Sequence, residues 1–399
     1  MKLKIVLIFI FLVVLSNFIS GLIFFGDITL FQIMKFCIKA TLFIGVFGLL
    51  AAFVVLKFSD DKYANGLLVN LTVILTTCTM LLIAGEYGFR YYYKDVTTTG
   101  NNRSYFAKKW KKTIRYNRFN FRERDFHVEK SQNIYRIAVI GDSLTFGQGI
   151  TEKDRFSNLL EKRLNSQNQN INIEYEVLNF GRPGAETIDH IDFLNDFVLP
   201  TKPDFILLQW YINDVLDPQD RKKKKKKKKD GKSLFGVPKA IGGIYNRLRD
   251  NSVLFYLLNK QQTQFKRLVS SKLSTSFRSF DETMLARFGD PNSTDSIKAR
   301  SALEKFVRIT KQNNIPMGMI LFSDSYFRPS SKLDFLLTRL LDFCVNEKLI
   351  CVDMRQPLSP YQGDVKLWAS RLDPHPSAFA NRIAADQIFA QFSSFWLNH

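Results

Sequence analysis

A serine that follows a predicted strand is the residue of this chain best suited to nucleophilic chemistry. The segment Gly141-Asp142-Ser143-Leu144 comes directly after a short apolar run, and a serine on a tight turn can present its hydroxyl to a substrate. The hydroxyl reacts when an adjacent imidazole takes its proton and a carboxylate fixes the tautomer of that imidazole. Because Gly-Asp-Ser is also ordinary turn chemistry, the assignment of Ser143 as a nucleophile depends on finding such a base.

The chain has only four histidines, which narrows the choice of base. His127 precedes the predicted strands, His399 is the last residue, and His190 is expected on the solvated face of a helix. His375 follows the last predicted strand and has Asp373 two residues before it, in an Asp-Pro-His-Pro sequence whose prolines restrict the backbone. We therefore predict His375 as the base and Asp373 as its carboxylate; the alternative is a polar cap of the final helix.

Two further strand ends carry groups that can stabilise a developing oxyanion. The block Asn179–Gly184 follows the second strand, and Gly184 permits a close approach of its backbone amide to a substrate. Asn213 follows the third strand and offers a side-chain amide; for both residues an ordinary turn is the alternative. Neither a dinucleotide-binding glycine pattern nor a phosphate loop occurs. No histidine pair or carboxylate cluster has metal-ligand spacing, so we expect no metal and no other cofactor.

Apolar runs that alternate with helical patterns position these residues. Such alternation predicts an α/β domain of three layers with a parallel sheet, in which ligands bind beyond the carboxyl ends of the strands. The predicted strands are Tyr135–Ile140, Ile173–Leu178, Asp204–Gln209, Pro316–Phe322 and Leu349–Val352. The predicted helices are Phe156–Leu164, Ser301–Lys311, Leu333–Val345 and Ala378–Phe395.

The charges of the chain are distributed unevenly, which divides it into regions. Residues 1–90 carry fewer charges than the rest of the chain and contain three uncharged runs, Ile5–Phe25, Ala40–Leu56 and Gly66–Gly85, which we interpret as three transmembrane helices. Residues 91–134 form a basic linker, and residues 135–399 form the α/β domain. An insertion at 217–296 interrupts this domain; it contains a run of lysines and a predicted helix around Val253–Gln261.

The net charge of +20 does not indicate a nucleic-acid partner. Eight of these charges belong to the uninterrupted run Lys222–Lys229, which is typical of a disordered, solvated loop. Contact of this run with anionic lipid headgroups or an acidic glycan is the alternative. Among the four cysteines, Cys344 and Cys351 are close enough in sequence to form a disulfide, although two buried thiols are the interpretation that we favour.

The order of these blocks along the chain resembles the GDSL family of esterases and lipases, also called SGNH hydrolases. The resemblance covers about Tyr135 to Phe395 without the insertion. It implies a flavodoxin-like fold, a catalytic triad of Ser143, His375 and Asp373, and an oxyanion hole formed by the amides of Ser143 and Gly184 and by the side chain of Asn213.

Two positions depart from the family pattern. Tyr211 stands where the family usually has glycine, and Asp373 lies two residues before the histidine, where three is commoner. The segment Asn120-Phe121-Arg122-Glu123, ahead of the first strand, is similar to the lead-in of membrane-anchored bacterial members. Those members often act on envelope glycans.

The sequence thus predicts serine-dependent hydrolysis of an acyl or acetyl ester carried by a lipid or an envelope glycan, through an acyl-enzyme. An O-acyltransferase acting on an envelope polysaccharide, with a membrane partner, is one alternative. A non-catalytic module that binds glycan or lipid is the other. The expected location is a multi-pass membrane protein in contact with membrane lipid. The charges that flank the three runs leave the side of the catalytic domain open, and the resemblance to members that act on envelope glycans favours an extracytoplasmic (periplasmic) domain.

Overall fold

The chain folds into two compact units. The computed structural model describes residues 61–99, 103–168, 172–215, 280–324 and 331–397, together with residues 243, 246–248 and 250–262. The smaller unit consists of the described residues up to Lys94 together with Ser252–Leu257, and the larger unit contains the rest. The lysine run Lys222–Lys229 and most of the predicted insertion lie outside the described residues, but a helix occupies 253–262, close to the helix predicted there.

One long helix, α1 (Asp61–Tyr92), makes up most of the smaller unit. Two charged residues near the end of α1 form an ion pair, in which Arg90 Nε donates to Glu86 Oε1 at 2.7 Å. The Glu86 carboxylate also accepts hydrogen bonds from the Ser252 hydroxyl at 2.6 Å and from the backbone amides of Val253 and Leu254, both at 3.0 Å. These bonds lower the pKa of Glu86, although burial opposes the shift.

The prediction of three transmembrane helices is wrong. The first two uncharged runs, 5–25 and 40–56, lie outside the described residues, and the third, 66–85, lies within α1. None of the helices in the described part of the chain combines the length and the apolar character that crossing a membrane requires. Physically, α1 begins at the charged Asp61 and continues through Glu86 and Arg90. The predicted multi-pass membrane location fails with the three helices on which it depended.

The larger unit is built on a five-stranded parallel sheet with the strand order β2-β1-β3-β4-β5. This order is that of flavodoxin-like folds. The strands are β1 (Ile134–Gly141), β2 (Glu174–Gly181), β3 (Phe205–Trp210), β4 (Met317–Leu321) and β5 (Ile350–Asp353), and a separate hairpin contains β6 (Trp368–Ser370) and β7 (Asp373–Pro376). The helices are α2 (Tyr105–Lys111), α3 (Ser143–Phe146), α4 (Phe156–Gln167), α5 (Thr187–Phe193), α6 (Phe280–Phe288), α7 (Thr294–Gln312), α8 (Asp334–Glu347), α9 (Arg355–Leu358) and α10 (Ala378–Trp396).

Alternating side chains of the strands form two hydrophobic cores, one on each face of the sheet. Ala138 and Ile140 of β1 point to the face covered by α5, α7 and α8, whereas Ile137 and Val139 point to the face covered by α4 and α10. Helices therefore lie on both faces, and the predicted three-layer α/β arrangement with a parallel sheet is confirmed. The carboxyl ends of β1, β2 and β3 meet at one edge, where the predicted site residues follow them.

Two features of the larger unit differ from the expectations. The segment Asp373–Pro376, which was predicted only to follow the last strand, is itself the second strand of the β6–β7 hairpin. Its prolines are compatible with a two-stranded hairpin because neither strand is central to a sheet. Cys344 of α8 and Cys351 of β5 form a disulfide with a Cα–Cα separation of 6.3 Å, so the favoured interpretation as two free thiols is wrong.

Candidate active site

The turn between β1 and α3 holds Ser143 at the sheet edge. Asp142 caps α3, and its Oδ1 accepts a hydrogen bond from the Leu144 amide at 2.9 Å. Gln209, from the neighbouring strand β3, accepts through Oε1 from the amides of Asp142 at 3.2 Å and Thr145 at 3.3 Å. These buried bonds fix the backbone on both sides of Ser143, whose side chain remains partly accessible.

The β6–β7 hairpin brings His375 to the serine. His375 Nε2 lies 2.9 Å from Ser143 Oγ, and its Nδ1 lies 2.5 Å from Asp373 Oδ1. The spacing of two residues suits this geometry because residues i and i+2 of a strand lie on one face. The cap of α10 is formed instead by Ser377, whose hydroxyl accepts from the Ala380 amide at 3.2 Å.

The two predicted oxyanion donors lie at the same edge of the sheet. Gly184 is in the turn after β2 with a φ of 75°, a left-handed conformation that glycine adopts without steric cost. The last residue of β2, Gly181, pairs in register with Gly141 just before the serine turn. Asn213 lies in the turn after β3, and its Nδ2 donates to Asp142 Oδ2 at 3.2 Å. The structure thus places both residues on strand ends adjacent to the Ser143 turn.

Residues 137–278 match the family model described as GDSL-like Lipase/Acylhydrolase. The chain contains a GDSL lipase/acylhydrolase domain. The GDSL domain makes the chain an ester hydrolase, and the reaction class of that family is serine-dependent ester hydrolysis.

Solved structures with some similarity to the chain include a lipase/acylhydrolase from Enterococcus faecalis. It is 16% identical, with 65% of this chain and 96% of that chain covered and a TM-score of 0.38. A catalytic mutant of an acetylxylan esterase from Geobacillus stearothermophilus is 15% identical, with 64% and 93% covered and a TM-score of 0.37. No curated protein matches the chain. The assignment of the GDSL domain therefore rests on the family match.

Charges around the His375–Asp373 pair, which lies outside the matched residues 137–278, adjust its protonation. Burial by itself lowers the pKa of His375, but the hydrogen bond and charge of Asp373, with the charge of Asp142, outweigh it and raise the pKa above 6.5. Burial raises the pKa of Asp373, and hydrogen bonds from His375 and Thr98 with the charge of His375 reverse the shift, so that it lies below 3.8. The pair thus favours an ionised carboxylate that stabilises an imidazolium.

Two residues that hydrogen-bond to the Asp373 carboxylate, Thr98 and Gln148, were not predicted from the sequence. Thr98 and Gln148 both donate hydrogen bonds to Asp373 Oδ2, the oxygen that faces away from His375. Thr98 belongs to the segment predicted to be a basic linker, yet it is buried in the GDSL domain's unit. A run of three threonines at 97–99 carries no sequence signal for such a contact.

One histidine of the GDSL domain differs from its expected environment. His190 lies on α5, as predicted, but it is fully buried instead of lying on a solvated face. Burial lowers the pKa of His190 to about 3. The ring is therefore neutral at physiological pH, and the structure does not bring it to Ser143 as a second base.

Proposed function

We propose that Ser143 is the nucleophile of the GDSL domain, with His375 as its general base and Asp373 as the carboxylate that orients the imidazole. The contacts of 2.9 Å from His375 Nε2 to Ser143 Oγ and of 2.5 Å from His375 Nδ1 to Asp373 Oδ1 carry the proposal. They have the connectivity that a serine hydrolase needs, since one ring nitrogen accepts the serine proton while the other donates to a carboxylate.

The first half of the reaction is acylation of Ser143. His375 Nε2 takes the hydroxyl proton while Oγ attacks the ester carbonyl, whose oxygen gains a negative charge. His375 then returns this proton to the leaving alcohol as the ester C–O bond breaks, and the acyl group remains on Oγ. In the second half, His375 takes a proton from water, the hydroxide attacks the acyl carbon, and Ser143 regains its proton as the carboxylic acid leaves.

Three donors are proposed to stabilise the oxyanion: the amides of Ser143 and Gly184 and the Nδ2 of Asn213. Neither of the two amides has a hydrogen-bond acceptor among the residues that the structure describes. A side-chain amide nitrogen carries two hydrogens, and Asn213 uses one of them on Asp142. The other hydrogen stays available for the substrate, while the bond to Asp142 fixes the orientation of the amide. Each such donor contributes about 10²–10³-fold to the rate.

Replacement of Ser143 by alanine tests the proposal. With p-nitrophenyl acetate as substrate, Ser143→Ala removes the nucleophile, and we expect kcat to fall toward the background rate, a loss of up to about 10⁶-fold. Ser166→Ala is the matched control, since Ser166 is an exposed serine whose hydroxyl donates to Arg163 O within its own helix. Circular dichroism verifies that both variants fold. A folded Ser143→Ala protein with wild-type turnover would refute the role of Ser143.

A further inference from the structure

A short segment, residues 96–99, precedes β1 in the chain and packs against the proposed triad at Asp373. Val96, Thr98 and Thr99 are buried, although they precede β1 by more than thirty residues. The Thr97 hydroxyl donates to the Gly149 carbonyl at 2.6 Å, in the loop that follows Ser143. On the other side, the Ser370 hydroxyl of β6 donates to the Thr98 carbonyl at 2.9 Å. The segment therefore connects the serine loop with the histidine hairpin.

Thr98 directs its hydroxyl at the carboxylate of Asp373. Because an ionised carboxylate only accepts hydrogen bonds, Thr98 Oγ1 is the donor to Asp373 Oδ2. Gln148 Nε2 approaches the same oxygen at 3.4 Å. The other oxygen, Oδ1, receives His375 through Nδ1 at 2.5 Å and through its backbone amide at 3.2 Å. The two oxygens of the Asp373 carboxylate thus have different hydrogen-bond partners, Thr98 and Gln148 at Oδ2 and His375 at Oδ1.

Close packing restricts the position of the Thr98 side chain. Gly149 has a φ of 86°, and a Cβ atom at this position would lie 2.7 Å from both Thr98 Oγ1 and Ala369 Cβ. Thr98 itself is 1% exposed and Asp373 is completely buried. Since Asp373 is shielded from bulk solvent, its carboxylate depends on buried donors such as Thr98 and Gln148.

We propose that Thr98 is a positioning residue of the active site, whose hydroxyl holds the Asp373 carboxylate in the plane and distance that His375 requires. The proposal rests on the proposed roles of Ser143, His375 and Asp373. It extends the functional site to Thr98, which, like Asp373 and His375, lies outside the matched family region 137–278. A free carboxylate could rotate, and rotation would weaken the bond that fixes the tautomer of His375.

The test uses the full-length chain and p-nitrophenyl acetate. Thr98→Val keeps the shape of the side chain but removes the donor. By analogy with hydrogen-bond partners that orient metal-binding side chains, we expect kcat to fall about 10–100-fold, while KM changes less than about 2-fold. Thr98→Ser keeps the donor and is expected to restore kcat to within about 3-fold of wild type. Thr99→Val is the matched control: Thr99 is equally buried, but its hydroxyl bonds Ser104 at 2.7 Å. Its kcat is expected to stay within about 2-fold of wild type.

A double-mutant cycle establishes whether Thr98 acts through Asp373. In an Asp373→Ala background the carboxylate is gone, so Thr98→Val should lower kcat by less than about 3-fold. An equal loss in both backgrounds, or a Thr98→Val enzyme as active as Thr99→Val, overturns the proposal. If Thr98→Val does not fold, Thr98→Ala replaces it in the cycle. Wild-type activity in Ser143→Ala and His375→Ala would instead refute the proposed function, so the two failures are distinguishable.

Discussion

The protonation of His375 decides when the proposed nucleophile can be activated. The imidazole accepts the Ser143 proton only when it is neutral. The neighbouring carboxylates, Asp373 within hydrogen-bond distance and Asp142 at the end of β1, stabilise the imidazolium instead. Together they outweigh the burial of the ring and place the pKa of His375 above 6.5. The same interactions that strengthen the base therefore keep a larger fraction of it protonated near neutral pH.

A pH profile of kcat/KM measures this effect. As the pH falls through the pKa of His375, the neutral imidazole is lost, so we expect an acidic limb with its midpoint above pH 6.5. Asp373→Ala removes the main group that raises this pKa, and the limb of the residual activity should move to lower pH. A wild-type midpoint below pH 6.5 would contradict the arrangement of charges described around His375.

At the residue scale, the site residues that could be predicted from the sequence are those whose chemical type restricts the role that they can take. A base had to come from four histidines, and only His375 has both an adjacent acid and a position after the predicted strands. Thr98 could not be predicted in this way, because threonine is common and its partner Asp373 lies 275 positions further along the chain. The burial of His190 escaped prediction for a similar reason, since α5 packs more of its surface than its polar residues indicate.

Arg122, in the segment between α2 and β1, holds the loop that follows α3 in place through hydrogen bonds. The guanidinium of Arg122 donates to the carbonyls of Phe146 at 3.1 Å, Gly147 at 2.7 Å and Ile150 at 2.8 Å. Burial lowers the pKa of Arg122 to about 10, so that it remains charged at neutral pH. The adjacent Glu123 is buried and pairs with Arg155 at 3.2 Å. These contacts anchor the end of α3 and thereby the turn that carries Ser143.

Replacement of Arg122 tests whether its hydrogen bonds stabilise this loop. Arg122→Met leaves three buried carbonyls without their donor, and we expect the free energy of unfolding to fall by about 2–4 kcal/mol, together with a lower kcat. Urea denaturation and turnover of p-nitrophenyl acetate measure the two effects. Arg115→Met, at an exposed arginine in the same segment, serves as the control and should change neither. An Arg122→Met protein as stable and as active as this control would show that the loop does not depend on Arg122.

At the element scale, the alternation of apolar runs was sufficient to predict the parallel strands, but not the β6–β7 hairpin. Buried parallel strands have continuous apolar sequences, such as Ile206–Leu208 in β3, which are visible in the sequence. Strand β7 contains two prolines and two ionisable residues within four positions. Its strand conformation depends on pairing with the neighbouring strand β6, which the proline-rich sequence of β7 does not indicate.

At the scale of the whole molecule, the proposed site exists only in the folded chain. Ser143 and His375 are separated by 232 positions, and Asn213 lies between them on a third segment. The meeting of these segments could be predicted, because parallel strands bring their carboxyl ends to one edge of the sheet. The uncharged run 66–85 was not predicted correctly, since such a run does not distinguish a membrane helix from a helix such as α1, which carries Glu86 and Arg90 near its end.

Labelling with a fluorophosphonate tests most directly whether Ser143 is activated by His375. Such a probe phosphonylates a serine whose proton an adjacent base removes, and peptide mass spectrometry locates the adduct. We predict one adduct per native chain, on Ser143, formed much more slowly in His375→Ala and absent after unfolding in urea. An adduct on another serine, or equal labelling rates in wild type and His375→Ala, would contradict the proposed site.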